Sequence, residues 1–197
     1  MRKLRHRLRM LRRDEVGSMA IELCIVVPII VWALLSTYVY FDAYRVQANA
    51  TRAGLTVADM FSREEAPVDI GYIQGARELL RTLTFEDSNP DLRVTVYRYR
   101  QAQDDYRVVW SRALGYPSQL NNGDLVNVRD QLPIMANNDR AILVETRTDY
   151  SAPFDTGIGV FTDTNLRDMT FGTFTVIRPR PSTLCFERND GTLICGP

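Results

Sequence analysis

The sequence predicts an α+β protein: a long N-terminal transmembrane helix with an amphipathic extension, a second helix, an antiparallel sheet of about four strands and a C-terminal disulfide hairpin. Three observations lead there. Leu23 to Phe41 are 19 consecutive residues without a formal charge. Apolar residues then recur at helical spacing as far as Met60, and beyond Asp91 the period shortens to two. Near the C-terminus, Cys185 and Cys195 flank Asn189-Asp190-Gly191, a strong turn signal.

The apolar run decides the topology. At about 1.5 Å per residue it forms a helix of roughly 28 Å, close to the thickness of a bilayer's hydrocarbon. Residues 1–17 carry seven Lys/Arg against Asp14 and Glu15, a net +5, and because the whole chain is neutral the remainder is −5. Basic residues stay on the cytoplasmic side of a first hydrophobic segment, so the N-terminus is expected in the cytoplasm and the rest outside. The basic leader has nucleic-acid binding as an alternative use, but its position directly before the apolar run favours topology. The acidic exported part gives no reason to expect nucleic acid as a partner. Tyr38, Tyr40 and Phe41 close the run as an aromatic belt would. No small-residue site follows the run, so it is expected to stay in the mature chain. Glu22 stands at its entry, where an ionisable group is costly and marks function. Pro28, inside it, removes one backbone hydrogen bond and should kink or loosen the helix, with or without a role.

Past the run, Val46, Ala50, Ala53, Val57 and Met60 follow at spacings of four, three, four and three. This stripe extends the helix to about residue 61, to pack on its own domain, on a partner, or on both. Ser62–Pro67 is a connector, and Val68–Leu83 reads as a second amphipathic helix with Ile70, Ile73, Leu80 and Leu83 inward. Leu92, Val94 and Val96 alternate with polar residues, and after QAQDD a second extended run spans Tyr106–Arg112, with Val108 and Trp110 as its core contributors. Gly115–Asp139 reads mostly as loop, with one turn of helix near Leu125–Arg129. Ala141–Thr148 opens nearly all apolar, as a central strand does. Asp149–Asp168 is a turn-rich connection, and Phe171–Ile177 is a strand whose inward face is ambiguous. Folding the tail symmetrically about Asp190 sets Cys185 opposite Cys195, as a cross-strand disulfide requires. A metal site is the alternative, but no His or further Cys lies nearby. Cys24, in the apolar run, reads as a small hydrophobe. The chain therefore divides into a basic cytoplasmic leader (1–17), a transmembrane helix (18–41), a helical extension (42–61) and an exported α+β domain (62–197).

The run DEVGSMAIELCIVVPIIV resembles the N-terminus of TadE-like proteins, the minor pilins or pseudopilins of tight-adherence (Tad/Flp) type IV pilus systems. Asp14, Gly17, Glu22 and Pro28 stand where that family has an acidic residue, a Gly, a Glu and, six residues on, a Pro. The resemblance covers about residues 10–55, and large Tad-associated proteins with added domains share it. It implies cleavage between Gly17 and Ser18 by a prepilin peptidase and residence in the bacterial inner membrane with a periplasmic domain. It also implies partners among other pilins and the pilus assembly platform. In pilins the Glu, here Glu22, pairs with the N-terminal amine of a neighbouring subunit; the alternative is a Glu22 that snorkels toward Arg12 or Arg13. The chain departs from the major Flp pilin, which is much shorter and has Tyr after its Glu, where this chain has Leu23.

Nothing in the sequence points to catalysis. The single histidine, His6, lies in the leader, which removes His-based triads and His-ligated metals from the exported domain. No phosphate-cradling loop of the Walker type is present. Gly157-Ile158-Gly159 is too short for a dinucleotide site, and Asp163, Asn165 and Asp168 do not have the spacing of a calcium loop. The sequence thus predicts a protein that is not an enzyme and needs no cofactor. Besides a minor pilin it admits a permanently anchored periplasmic binding module that is not processed, or a pilus-tip adhesin using the disulfide hairpin.

Overall fold

In the computed structural model, which describes residues 15–84, 89–154, 168–180 and 183–196, one α-helix, α1, runs from Glu15 to Arg63. It is followed by α2 (Ile70–Thr84), the strands β1 (Asp91–Arg100) and β2 (Asp105–Leu114), a short helix α3 (Asn122–Asn127) and a 3₁₀ turn (Arg129–Gln131). Strands β3 (Arg140–Ser151) and β4 (Asp168–Ile177) and the small strands β5 (Phe186–Glu187) and β6 (Leu193–Ile194) complete the chain. The four long strands form one antiparallel sheet in the order β2-β1-β3-β4, while β5 and β6 pair with each other. The chain separates into two compact units. One comprises residues 1–43 and 152–167, the other residues 44–151 and 168–197.

In the larger unit, the main core lies between the helices and one face of the sheet. Ala53, Val57, Ala58 and Phe61 of α1 meet Ile73, Ala76 and Leu80 of α2 and Leu92, Val94, Val96, Ile142 and Val144 of β1 and β3. The apolar stripe of α1 is real: Val46, Ala50, Ala53 and Val57 are buried and Met60 packs against the core. The extension therefore packs on its own domain. Its small residues permit close approach. A Cβ on Gly54 would lie 2.6 Å from the Thr173 hydroxyl oxygen of β4, which itself shares a 2.6 Å hydrogen bond with Thr146. The end of α1 is tied to the chain leaving β4, since Ser62 Oγ donates to the Arg178 carbonyl and the Arg180 amide donates to the Ser62 carbonyl, both at 2.8 Å. Helix α2 begins two residues later than the sequence pattern suggests because Asp69 caps it, its carboxylate accepting the Tyr72 amide at 2.7 Å. Of its expected core residues, Ile73 and Leu80 are fully buried, Leu83 packs on the rim and Ile70 is half-buried.

The sheet departs from the sequence reading on β2. Alternation places Val108 and Trp110 on one face, but the register shifts between Val96 and Tyr97 of β1. Val96 pairs with Trp110 and Tyr97 with Val108, so Val109 is the extra residue of a bulge. Trp110 and Val109 consequently join the main core, while Val108 turns to the other face. That second face is covered as well. Tyr97, Ala141 and Leu143 pack with Leu125, Leu132 and Met135 from the segment expected to be loop. Its helical turn comes slightly earlier than expected, at α3, where Asn121 and Asp124 form a reciprocal capping box. Polar ties hold the segment down. Thr95 and Ser111 share a buried 2.8 Å hydrogen bond and Ser111 Oγ accepts the Leu120 amide at 3.1 Å. Arg93 grips Glu145 with two 2.7 Å bonds while its guanidinium lies 4.5 Å over the Tyr116 ring.

Strand β3 is interior, as its apolar start suggests. The ambiguity of β4 also resolves: Ile177 packs on the main core, Phe174 and Val176 on the second cluster. Both strands extend beyond their expected limits, with Asp149, Tyr150 and Ser151 pairing with Thr170, Met169 and Asp168. The extension is sustained by cross-strand side chains that local sequence does not reveal, among them Thr170 donating to Asp149 at 2.8 Å. Residues Gly157-Ile158-Gly159, Asp163 and Asn165, and the leader residues His6, Arg12 and Arg13, lie outside the described residues.

Two expectations follow. Gly54→Ala should destabilise the protein by about 1–3 kcal/mol, although Ala is the better helix former, because the added methyl meets the stiff Thr173 side chain. Gly75→Ala in α2, where nothing lies within 4 Å, should instead stabilise by up to about 1 kcal/mol; chemical denaturation in detergent compares the two. Burial, and then a hydrogen bond to Glu64, raise the Tyr72 phenol to about 12. A group whose folded value is raised supports the fold fully below its unfolded value, near 10, and loses that support as pH rises through about 12. Burial raises Tyr97 as well, so alkaline titration at 295 nm should show several late-ionising tyrosines, of which Tyr72→Phe removes one.

Candidate functional site

The residues singled out in the sequence fall into two places. Gly17, Ser18, Glu22 and Pro28 are strung along the first part of α1 and do not converge on one point. Cys185 and Cys195 come together near the other end of the chain.

From Met19 to Phe41 the helix is almost wholly uncovered. Ile21, Leu23, Ile29, Leu34 and Phe41 are each more than half exposed, and none of the most apolar 18-residue stretch is buried. An exposed apolar surface of this extent is of the kind that lipid or protein covers. By length and composition this helix is a candidate membrane span. Glu22 is exposed at its start, and between it and Asp42 the helix carries no charge. The backbone is helical through Pro28 without interruption, so the proline leaves the Cys24 carbonyl without its usual amide donor but does not end the helix. Thr37 satisfies its own hydroxyl by donating to the Ala33 carbonyl at 2.7 Å, which lets a polar side chain sit in apolar surroundings. Tyr38, Tyr40, Phe41 and Tyr44 are all more than half exposed, a band of large aromatics at the end of the run.

The cysteines form a disulfide, with Cα atoms 4.3 Å apart, which disposes of the metal alternative. Phe186 pairs with Ile194 and Glu187 with Leu193, a register centred on Asp190 as the sequence symmetry requires. Gly191 adopts φ 78°, open to glycine at little cost, and Asp190 accepts the Thr192 amide at 2.9 Å. That bond holds the Asp190 carboxyl below the usual carboxylate range. The hairpin is built into the domain. Val68 donates to the Cys185 carbonyl at 2.9 Å and accepts from Glu187 at 2.8 Å; the Trp110 indole donates to the Leu184 carbonyl at 2.9 Å. Arg140 donates to the Cys195 carbonyl at 2.7 Å. With Leu184 and Phe186 in the main core, only the turn and the outer edge remain free to touch a partner.

One feature escaped the sequence reading. An open cleft of about 500 Å³ lies beside the hairpin turn, lined by Ile70, Arg112, Gln119, Phe186, Arg188 and Asp190 among others. The Arg112 guanidinium lies over Phe186, its carbon 3.9 Å from the ring centre. The contributing residues come from α2, β2, the following loop and the hairpin, so no local spacing announces them.

No protein-family model, curated protein or solved structure matches this chain.

Replacing both cysteines by serine should cost on the order of 2–3 kcal/mol, the scale for a loop of this size. Because Leu184, Phe186 and the Trp110 bond hold the hairpin independently, we expect the near-ultraviolet circular dichroism of the folded domain to survive below the lowered melting temperature.

Proposed function

We propose that this chain is a single-pass inner-membrane protein acting in Tad/Flp-type pilus assembly as a TadE-like minor pilin, through contacts with other pilins. One observation carries the reading: a long helix whose uncovered apolar run has the carboxylate of Glu22 at its entry, on a chain whose remainder folds as an α+β domain. The N-terminal resemblance and the +5 leader support the same reading. The leader holds residues 1–17 in the cytoplasm, so the domain lies in the periplasm, an oxidising compartment in which the Cys185–Cys195 disulfide persists.

The mechanism is electrostatic. Cleavage by a prepilin peptidase after Gly17 removes the basic leader and frees an amino group on Ser18. Glu22 of one subunit then pairs with that amine of a neighbour as the apolar helices pack. An unpaired charge in such surroundings costs on the order of several kcal/mol, so only the register that pairs the two is favourable. The aromatic band and the folded domain remain outside the packed helices.

A second reading, an unprocessed anchored binding module, is favoured by the cleft beside the hairpin. N-terminal sequencing from cells with an active prepilin peptidase separates the two: the pilin reading expects a mature chain beginning at Ser18. A chain still beginning near Met1 excludes it. Glu22→Ala should abolish pilus assembly while the domain keeps its melting temperature; an anchor would tolerate the change.

A further inference from the structure

We propose that the cleft between the hairpin turn and β2 is a binding site for the carboxylates of an acidic segment on a partner protein, with Arg112 as the anchoring residue. The proposal does not depend on the pilus reading. The guanidinium of Arg112 is held in place by its stacking on Phe186 and by bonds from Nη1 to the Ser111 carbonyl at 2.7 Å and to Gln119 Oε1 at 3.3 Å. Its Nε and Nη2 donate to nothing among the described residues. Those two atoms form the edge that meets a carboxylate with two parallel bonds. The protein itself uses that edge twice, in Arg93 with Glu145 and in Arg100 with Asp105, at 2.7–2.8 Å. At Arg112, where Nη1 makes both bonds, the same edge remains available to a carboxylate.

The surroundings favour an anion. Arg188, exposed on the same cleft, makes no ion pair among the described residues. Burial and then the Arg188 charge lower the proton affinity of Arg112, an effect that a bound anion would offset. Asp190, on the same cleft, already sets its charge against Arg188 while accepting the Thr192 amide, but it makes no bond to Arg112, so the Arg112 edge is the anchoring point. Two further features select a peptide-borne carboxylate over a free ion. The half-buried Ile70 gives the cleft an apolar wall that a bare anion leaves uncovered. The cleft is also open, whereas small-molecule sites bury most of their ligand.

The test uses the full chain in zwitterionic nanodiscs with an N-acetylated hexaglutamate amide as the probe. Trp110 serves as reporter, since its ring lies 5.5 Å from Phe186 on the cleft wall; Trp32, in the apolar helix, is the internal control. Saturable movement of the Trp110 indole resonance without movement of Trp32 is expected, weakening as salt is raised. Arg112→Lys keeps the charge but loses the two-bond edge and should weaken binding about tenfold. Arg188→Gln, at an exposed residue whose side chain makes no bond among the described residues, should weaken it about threefold. Arg63→Gln, remote on α1, should change nothing. Acetate and inorganic phosphate run as parallel arms. Phosphate binding as tightly as the peptide would make this a simple anion site and overturn the assignment. So would unchanged affinity in both arginine variants, or no saturable binding at millimolar peptide.

Discussion

The structure depends on the seam where the last turns of α1 lie against the sheet. Small residues make it possible. Ala53 and Ala58 are buried in the core that α1 shares with α2 and the sheet, and Gly54 admits no side chain beside Thr173 of β4. Val57 and Phe61 then fill the space between α1, α2 and the sheet. Hydrophobic burial at this seam accounts for why residues 44–63 belong to the folded domain while the same helix, from Met19 to Tyr38, is almost wholly uncovered. The helix is continuous, and what changes along it is the solvent its side chains are suited to.

The C-terminal hairpin is the second point of closure. Its disulfide fixes a local loop, but the long-range ties matter more for the fold. Trp110, displaced onto the core face by a β-bulge, donates its indole hydrogen to the Leu184 carbonyl and packs 5.5 Å from Phe186. The same Phe186 ring carries the Arg112 guanidinium on the cleft side. Core packing on one side and charge presentation on the other are thus achieved by a single aromatic residue. This makes the hairpin part of the architecture and limits any contact role to its turn and to the cleft beside it.

The sequence by itself determined what local physics controls. The apolar run, the stripe from Val46 to Met60, the strand periods and the turn symmetry about Asp190 are all short-range patterns, and each is present in the structure. The functional expectations for Gly17, Ser18 and Glu22 rest on the sequence and its resemblance, because the cleavage and pairing proposed for them involve other molecules. Only the tertiary structure decided which faces are buried. Alternation cannot foresee that Val109 is a bulge residue, and hence that Val108 and Trp110 part company. Nor can it foresee that a Gly- and Asn-rich segment supplies Leu125, Leu132 and Met135 to cover the far side of the sheet. The cleft of Arg112 and Arg188 belongs to the same class. Its residues are separated along the chain and become neighbours only when the hairpin docks, because long-range contacts, not local propensity, set their distances.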